Sequence, residues 1–180
     1  MSQASSQAQF EALYSAESDR IFRFCLVRVS EREQALDLTQ ETFTRLWQSL
    51  QGGAVITNGR SFLFTIAHNL IIDWYRKKKS LSSDAMADPE TGEPFEPVSE
   101  TAHEDLQIAA EGRFLLEAIN KLGPSYKLPV YLRFVEGLSP GEIGEVLGVT
   151  AGNASVRITR GLDELRRLTG YDVKDTKSQS

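Results

Sequence analysis

The chain has 180 residues and a formal charge of -5 at pH 7, room for one ordinary domain or two small ones and, taken whole, a poor match for a polyanion. Its single cysteine, Cys25, excludes an internal disulfide and is expected as a small buried side chain on a helix. The opening residues lack the basic and apolar blocks of a signal peptide and no apolar run approaches a membrane span, so a soluble, cytoplasmic protein without membrane insertion is expected.

From Phe10 to about Val29, apolar residues recur at helical spacing (Leu13, Ile21, Phe24, Cys25, Val27) and predict a first helix. "SEREQALDLTQETFTRLWQSL" follows, with Ser30 and Glu33 spaced as a capping box. Ala35, Leu38, Thr42, Leu46 and Trp47 line one face of this second helix, which leaves Asp37, Gln40, Glu41, Thr44 and Arg45 on the exposed flank. The glycines of "QGGAVITNG" break it. "RSFLFTIAHNLIIDWYRKKK" predicts a third helix, with Ser61 as N-cap and a stripe of Leu63, Ile66, Ala67, Leu70 and Trp74. The basic run that ends it suits the C-terminal end of the helix dipole.

The net charge conceals a segregation. Between Ser80 and Gly112 stand nine acidic residues and no Lys or Arg, together with Pro89, Pro94 and Pro97. Up to about Thr101 this stretch has neither helical nor strand periodicity and reads as a flexible acidic linker. The remainder of the chain is net positive, much of that charge lying in Arg76, Lys77, Lys78 and Lys79 and in Arg157, Arg160, Arg166 and Arg167.

Beyond the linker, a helix is expected near Ala109 to Leu122, ended by Gly123-Pro124. "SYKLPVYLRFVEG" gives another, capped by Ser125 or beginning at Pro129, with Gly137 as terminator. "SPGEIGEVLG" carries Ser139 as cap, Pro140 at the first helical position and Glu142 three after the cap. A helix-turn-helix needs a small residue where its helices touch, a turn glycine four later and apolar residues holding the second helix. Gly144, Gly148, Val149, Ala154 and Ile158 meet these needs, and Thr150 is the natural cap of the second helix. Asn153, Val156, Arg157 and Arg160 then project outward, as residues that reach base edges do. The ordinary alternative is a helical hairpin with a polar face. A net charge of +2 between Val149 and Tyr171 predicts weak binding by this segment alone. The expected fold class is all-α: two small helical bundles joined by a flexible acidic linker, the second containing a helix-turn-helix.

"LTQETFTRLW", "SFLFTIAHNLIIDWYRKKK" and "EGLSPGEIGEVLGVTAGNASVRITRGLDELRR", in this order around an acidic linker, resemble the extracytoplasmic-function (ECF) sigma factors of bacterial RNA polymerase. The resemblance runs from about Phe10 to Leu168. It implies a sigma region 2-like domain at 1–79 that binds core polymerase and opens the -10 element, a linker at 80–112, a region 4-like domain at 113–168 that reads the -35 element, and a tail at 169–180. It implies docking on the polymerase clamp helices through Asp37, Gln40, Glu41 and Arg45, with Trp47 packing. The segment from Thr57 to Lys79 resembles the -10 reader, which accommodates an extruded base at an unstacking cost of a few kcal/mol. Asn69 and Asp73 match positions facing that base, while Arg76, Lys77, Lys78 and Lys79, joined by His68, hold phosphates. Phe62 and Phe64 are expected in the core.

In the second domain the resemblance assigns -35 contacts to Asn153, Ser155, Val156, Arg157, Thr159 and Arg160. Ser155 and Val156 replace commoner basic and small polar residues; a valine here is of the type that meets a thymine methyl. Leu128 and Pro129 depart from the family pattern near the surface expected to meet the polymerase flap. The linker is expected to occupy basic polymerase channels as a nucleic-acid mimic. The implied partners are core RNA polymerase, promoter DNA and an anti-sigma factor; no metal or cofactor is implied.

Three other classes compete. One is a stand-alone regulator whose helix-turn-helix binds an operator, usually as a symmetric dimer; it gives "LTQETFTRLW" no role. A module that titrates a sigma inhibitor needs no basic residues at either DNA face. An enzyme is not expected: His68 and His103 lie in different segments, and "GGAVITNG" lacks the lysine of a phosphate loop.

Overall fold

The computed structural model describes residues 3–81 and 110–170. Among the described residues there are seven helices and no strand: α1 (Gln3–Val29), α2 (Arg32–Gln51), α3 (Gly59–Leu81), α4 (Ala110–Asn120), α5 (Pro124–Phe134), α6 (Pro140–Leu147) and α7 (Ala151–Thr169). The all-α expectation holds. α1–α3 form one unit and α4–α7 another. Most of the expected linker (residues 82–109) and all but two residues of the expected tail lie outside the described residues; Ser80 and Leu81 continue α3, and residues 110–112 open α4.

In the first unit α1 packs along both α2 and α3. Ile21, Phe24 and Cys25 of α1 meet Ala35 and Leu46 of α2 and Leu63, Phe64, Ala67 and Ile71 of α3 in a fully buried core. Phe24 and Phe64 cross edge to face with centroids 5.2 Å apart, a preferred aromatic geometry. Burial pushes the Cys25 thiol up to about 12, consistent with a small core side chain. The far end of α1 is stitched to the α2–α3 loop, where Gln9 Nε2 donates to the Ile56 carbonyl over 3.1 Å.

Two expected caps fail for identifiable reasons. Ser30 stands at φ 61, in the left-handed region, and its N–H bonds the Leu26 carbonyl at 2.9 Å, so it closes α1 rather than opening α2. The N-cap of α2 is Glu31, which makes no side-chain capping bond. At α3 the side chain of Asn58 accepts the Ser61 N–H at 3.1 Å. That bond makes Asn58 the cap and puts Ser61 inside the first turn, buried.

α5 begins at Pro124 with Gly123 as N-cap, so neither expected start holds: Ser125 lies in the first turn and Pro129 inside the helix. An interior proline forfeits a backbone bond. Here five consecutive residues, Leu128 to Leu132, are buried between neighbouring helices, and that packing outweighs the local penalty. The Tyr131 hydroxyl donates to buried Glu136 over 2.8 Å. α6 has the expected capping box, Ser139 and Glu142 bonding each other's backbone N–H. Gly148 follows at φ 67. A Cβ on Gly144 would stand 2.7 Å from the Val149 carbonyl oxygen, so only glycine admits the α6–α7 turn at this distance. Thr150 caps α7 by accepting from the Asn153 N–H at 3.1 Å.

Candidate nucleic-acid interface

The outer face of α7 is polar by construction. Ala154, Ile158, Gly161 and Leu165 face inward, which turns Asn153, Ser155, Val156, Thr159 and Arg160 to solvent and leaves Arg157 half-buried at the flank. Arg166 is held by Asp163 at 3.2 Å. Among the described residues Arg157 and Arg160 have no such partner. Their guanidinium groups keep all five donors for an incoming phosphate or base edge. Of the six residues expected at the -35 element, five are exposed and Arg157 is half-buried, with Ser155 and Arg157 on opposite flanks of the helix.

The α3 face divides differently. Asn69, Asp73, Arg76, Lys77, Lys78 and Lys79 are exposed. Asp73 and Arg76 approach to 4.0 Å, and the Lys78 ammonium lies 4.8 Å from the Trp74 ring centroid. His68 is a correction to the expected set. It is 2 % exposed, and its Nδ1 lies 3.4 Å from the guanidinium of buried Arg28. The helix turns His68 inward with Phe64, Ala67, Ile71 and Tyr75, so it cannot meet a phosphate. Tyr75 supports the same site by donating its hydroxyl to the Arg28 carbonyl. Phe64 is core as expected, and Phe62 is half-buried.

Asp37, Gln40, Glu41 and Arg45 are all exposed on α2. Arg45 Nε pairs with Glu41 at 2.8 Å, an i,i+4 contact in the favoured orientation but too exposed to add much stability. Beside this strip an open groove of about 650 Å³ runs between α1 and α2, lined by Phe10, Tyr14, Gln40, Phe43, Thr44 and Trp47. Trp47 packs edge-on against Phe10 with centroids 5.4 Å apart, and Tyr14 meets Phe43 at 4.8 Å. Tyr14 and Leu36 remain 51 % and 46 % exposed, too much for core residues. The groove was missed in the sequence because its aromatics come from two helices. The recurrence of Phe10 and Tyr14 at i,i+4 was the available signal.

Leu128 and Pro129, near the expected flap surface, are buried, so any contact on that side falls to their neighbours. Adjacent Lys127 is half-buried, which lowers its pKa.

Among the described residues, an all-helical arrangement with a capped helix-turn-helix and a second unit bearing another basic helix end fits the class of DNA-binding transcription proteins. Family comparison narrows the class: residues 13–81 match Sigma-70 region 2 and residues 115–165 match Sigma-70 region 4. The chain is 32% identical to the ECF RNA polymerase sigma factor SigE of Mycolicibacterium smegmatis over 93% of its own length and 64% of that relative. It is 31% identical to the RNA polymerase sigma factor CarQ of Myxococcus xanthus, covering 91% of each. Its fold matches the sigma factor RpoE of Bartonella quintana, solved with the anti-sigma factor NepR, at TM-score 0.66 and 20% identity over 91% of this chain and 98% of that one. The chain belongs to the ECF sigma factor family. It spans less than two thirds of the length of SigE.

Proposed function

We propose that this protein is a promoter-recognition subunit. It binds core RNA polymerase, reads a -10 element with α3 and a -35 element with α7, and directs DNA melting and transcription initiation without catalysing a reaction of its own. The observation that carries the proposal is the pairing of the two family matches with two exposed basic faces, one on each unit. Asp37, Gln40, Glu41 and Arg45 dock on the polymerase clamp helices, and the aromatic groove continues that surface. The region around α5 faces the flap. Asn69 and Asp73 meet the extruded -10 base, while Arg76 to Lys79 supply phosphate contacts.

The acidic linker follows the polymerase's basic channels, and the protein works in the cytoplasm beside the polymerase. The structurally similar RpoE of Bartonella quintana was solved with an anti-sigma factor, NepR; an inhibitor of that kind would cover the α2 face. A stand-alone operator binder leaves the match of residues 13–81 without a use.

Run-off transcription with purified bacterial core polymerase, on DNA from upstream of this protein's own gene, tests the proposal. A specific transcript is expected with the native chain and not with the Asn69→Ala, Arg160→Ala double variant. Absence of both a transcript and core binding in gel filtration overturns it.

A further inference from the structure

The outward face of α7 carries one exposed large apolar side chain near its start. Val156 is 48 % exposed. At 3.6 residues per turn it lies roughly 170° around the axis from the line of Ala154, Ile158, Gly161 and Leu165 that faces the core. Within the first three turns of α7 no residue lies nearer the outward direction. Across the first three turns of α7, it is the sole exposed large apolar side chain among the described residues. Its neighbours on the face are polar or bare: Asn153 and Arg160 on one side, Gly152 and Thr159 on the other. A Cβ on Gly152 would meet only the Thr150 hydroxyl oxygen, at 3.9 Å, so nothing overhangs the valine from the helix start.

Nothing in the fold requires an apolar group at this point. The helix makes no use of this side chain, which leaves it available to an opposing surface. Purine and cytosine edges in the major groove are hydrogen-bonding groups, and the apolar feature there is the C5 methyl of thymine. A valine pressed against any other base displaces water from polar atoms and offers them nothing, which costs the full desolvation of those atoms. Against thymine it buries methyl on methyl. Asn153 and Arg160, uncommitted beside it, hold the helix in register on neighbouring bases or phosphates.

We infer that Val156 is a specificity-determining residue that selects thymine at one position of the upstream promoter element by contact with its C5 methyl group. This inference rests on the proposed promoter-recognition function and adds the base that the site prefers.

The test uses core polymerase loaded with the full chain, on the promoter mapped by run-off transcription, with its upstream element randomised. Templates selected by the native protein are expected to fix thymine at one position. Val156→Ala is expected to relax that position alone, since an exposed alanine leaves the helix intact. Replacing that thymine with uracil removes only the methyl group. The change should weaken initiation by the native protein about fourfold, the transfer of one methyl from water, and leave Val156→Ala unaffected. If uracil serves the native protein as well as thymine, or if Val156→Ala keeps the same preference, the inference is overturned while promoter recognition stands. If the native protein yields no specific transcript from any template, both fall together.

Discussion

The two units solve one packing problem with different materials. α1–α3 are long helices, and their interior contains Phe24, Phe64, Tyr75 and a buried Arg28–His68 pair. α4–α7 are shorter and approach at glycines: Gly144 admits the turn into α7, and Gly161 lies against Val130 and Tyr126 where a Cβ would stand 2.5 Å from Val130 Cγ2. The core of the first unit is therefore sensitive to lost volume, and the contacts of α7 with α5 and α6 to added volume, although at Gly59 the first unit too has no room for a Cβ beside Leu13. Both tryptophans, Trp47 and Trp74, are on α2 and α3. Their fluorescence reports the first unit, while far-UV circular dichroism reports both.

That contrast can be broken at four points, taken from the largest effect down. Phe24→Ala empties a fully buried site and should cost the first unit about 3–5 kcal/mol. The tryptophan-detected transition in urea would move to lower concentration, with the remaining dichroism transition unmoved; a joint shift would mean that the units share one stability. Gly144→Ala should do the reverse, at about 2 kcal/mol, because the obstacle is a backbone carbonyl that cannot rotate aside. Tryptophan fluorescence should then be unchanged.

A smaller effect depends on pH. Burial raises the Cys25 thiol from 9.0 to about 12 in the folded unit. Above pH 9 the unfolded chain releases a proton that the folded one keeps. This contribution is thus fully present below about pH 9 and declines above it by about 1.4 kcal/mol per pH unit. Urea midpoints followed by tryptophan fluorescence between pH 8 and 10.5 should show that slope for the native chain, reduced in Cys25→Ala. The smallest effect separates two serines that look alike in sequence. Ser139→Ala should cost the second unit about 1 kcal/mol for its lost cap, and Ser30→Ala about 0.5 kcal/mol or less.

Those serines also mark what a sequence discloses. Both precede a glutamate by three residues, yet only Ser139 has the extended backbone that a cap needs. The deciding fact at Ser30 is the short turn out of α1, which no local pattern records. Helix number and order were legible from periodicity, and the exposed α7 face followed from Gly144, Gly148, Ala154 and Ile158. His68 was misplaced because α3 buries two adjacent stripes, Leu63–Leu70 and Phe64–Tyr75, and apolar counting favoured the first alone. Pro129 misled for the opposite reason: the local rule is sound, but a helix buried on most sides overrides it.

The anchorage of α7 has a mechanical consequence. The helix is gripped near its start, where Gly144 meets the Val149–Ala151 backbone, and again further along, where Gly161 touches α5 and Glu164 accepts the Gly123 N–H at 3.1 Å. Arg157 and Arg160 lie between the two grips. A rod fixed at two heights does not tilt when it is loaded between them. A load on those arginines is shared with α5 and α6 through the two grips, so the spacing of the outward side chains of α7 is fixed by the packing of the unit itself.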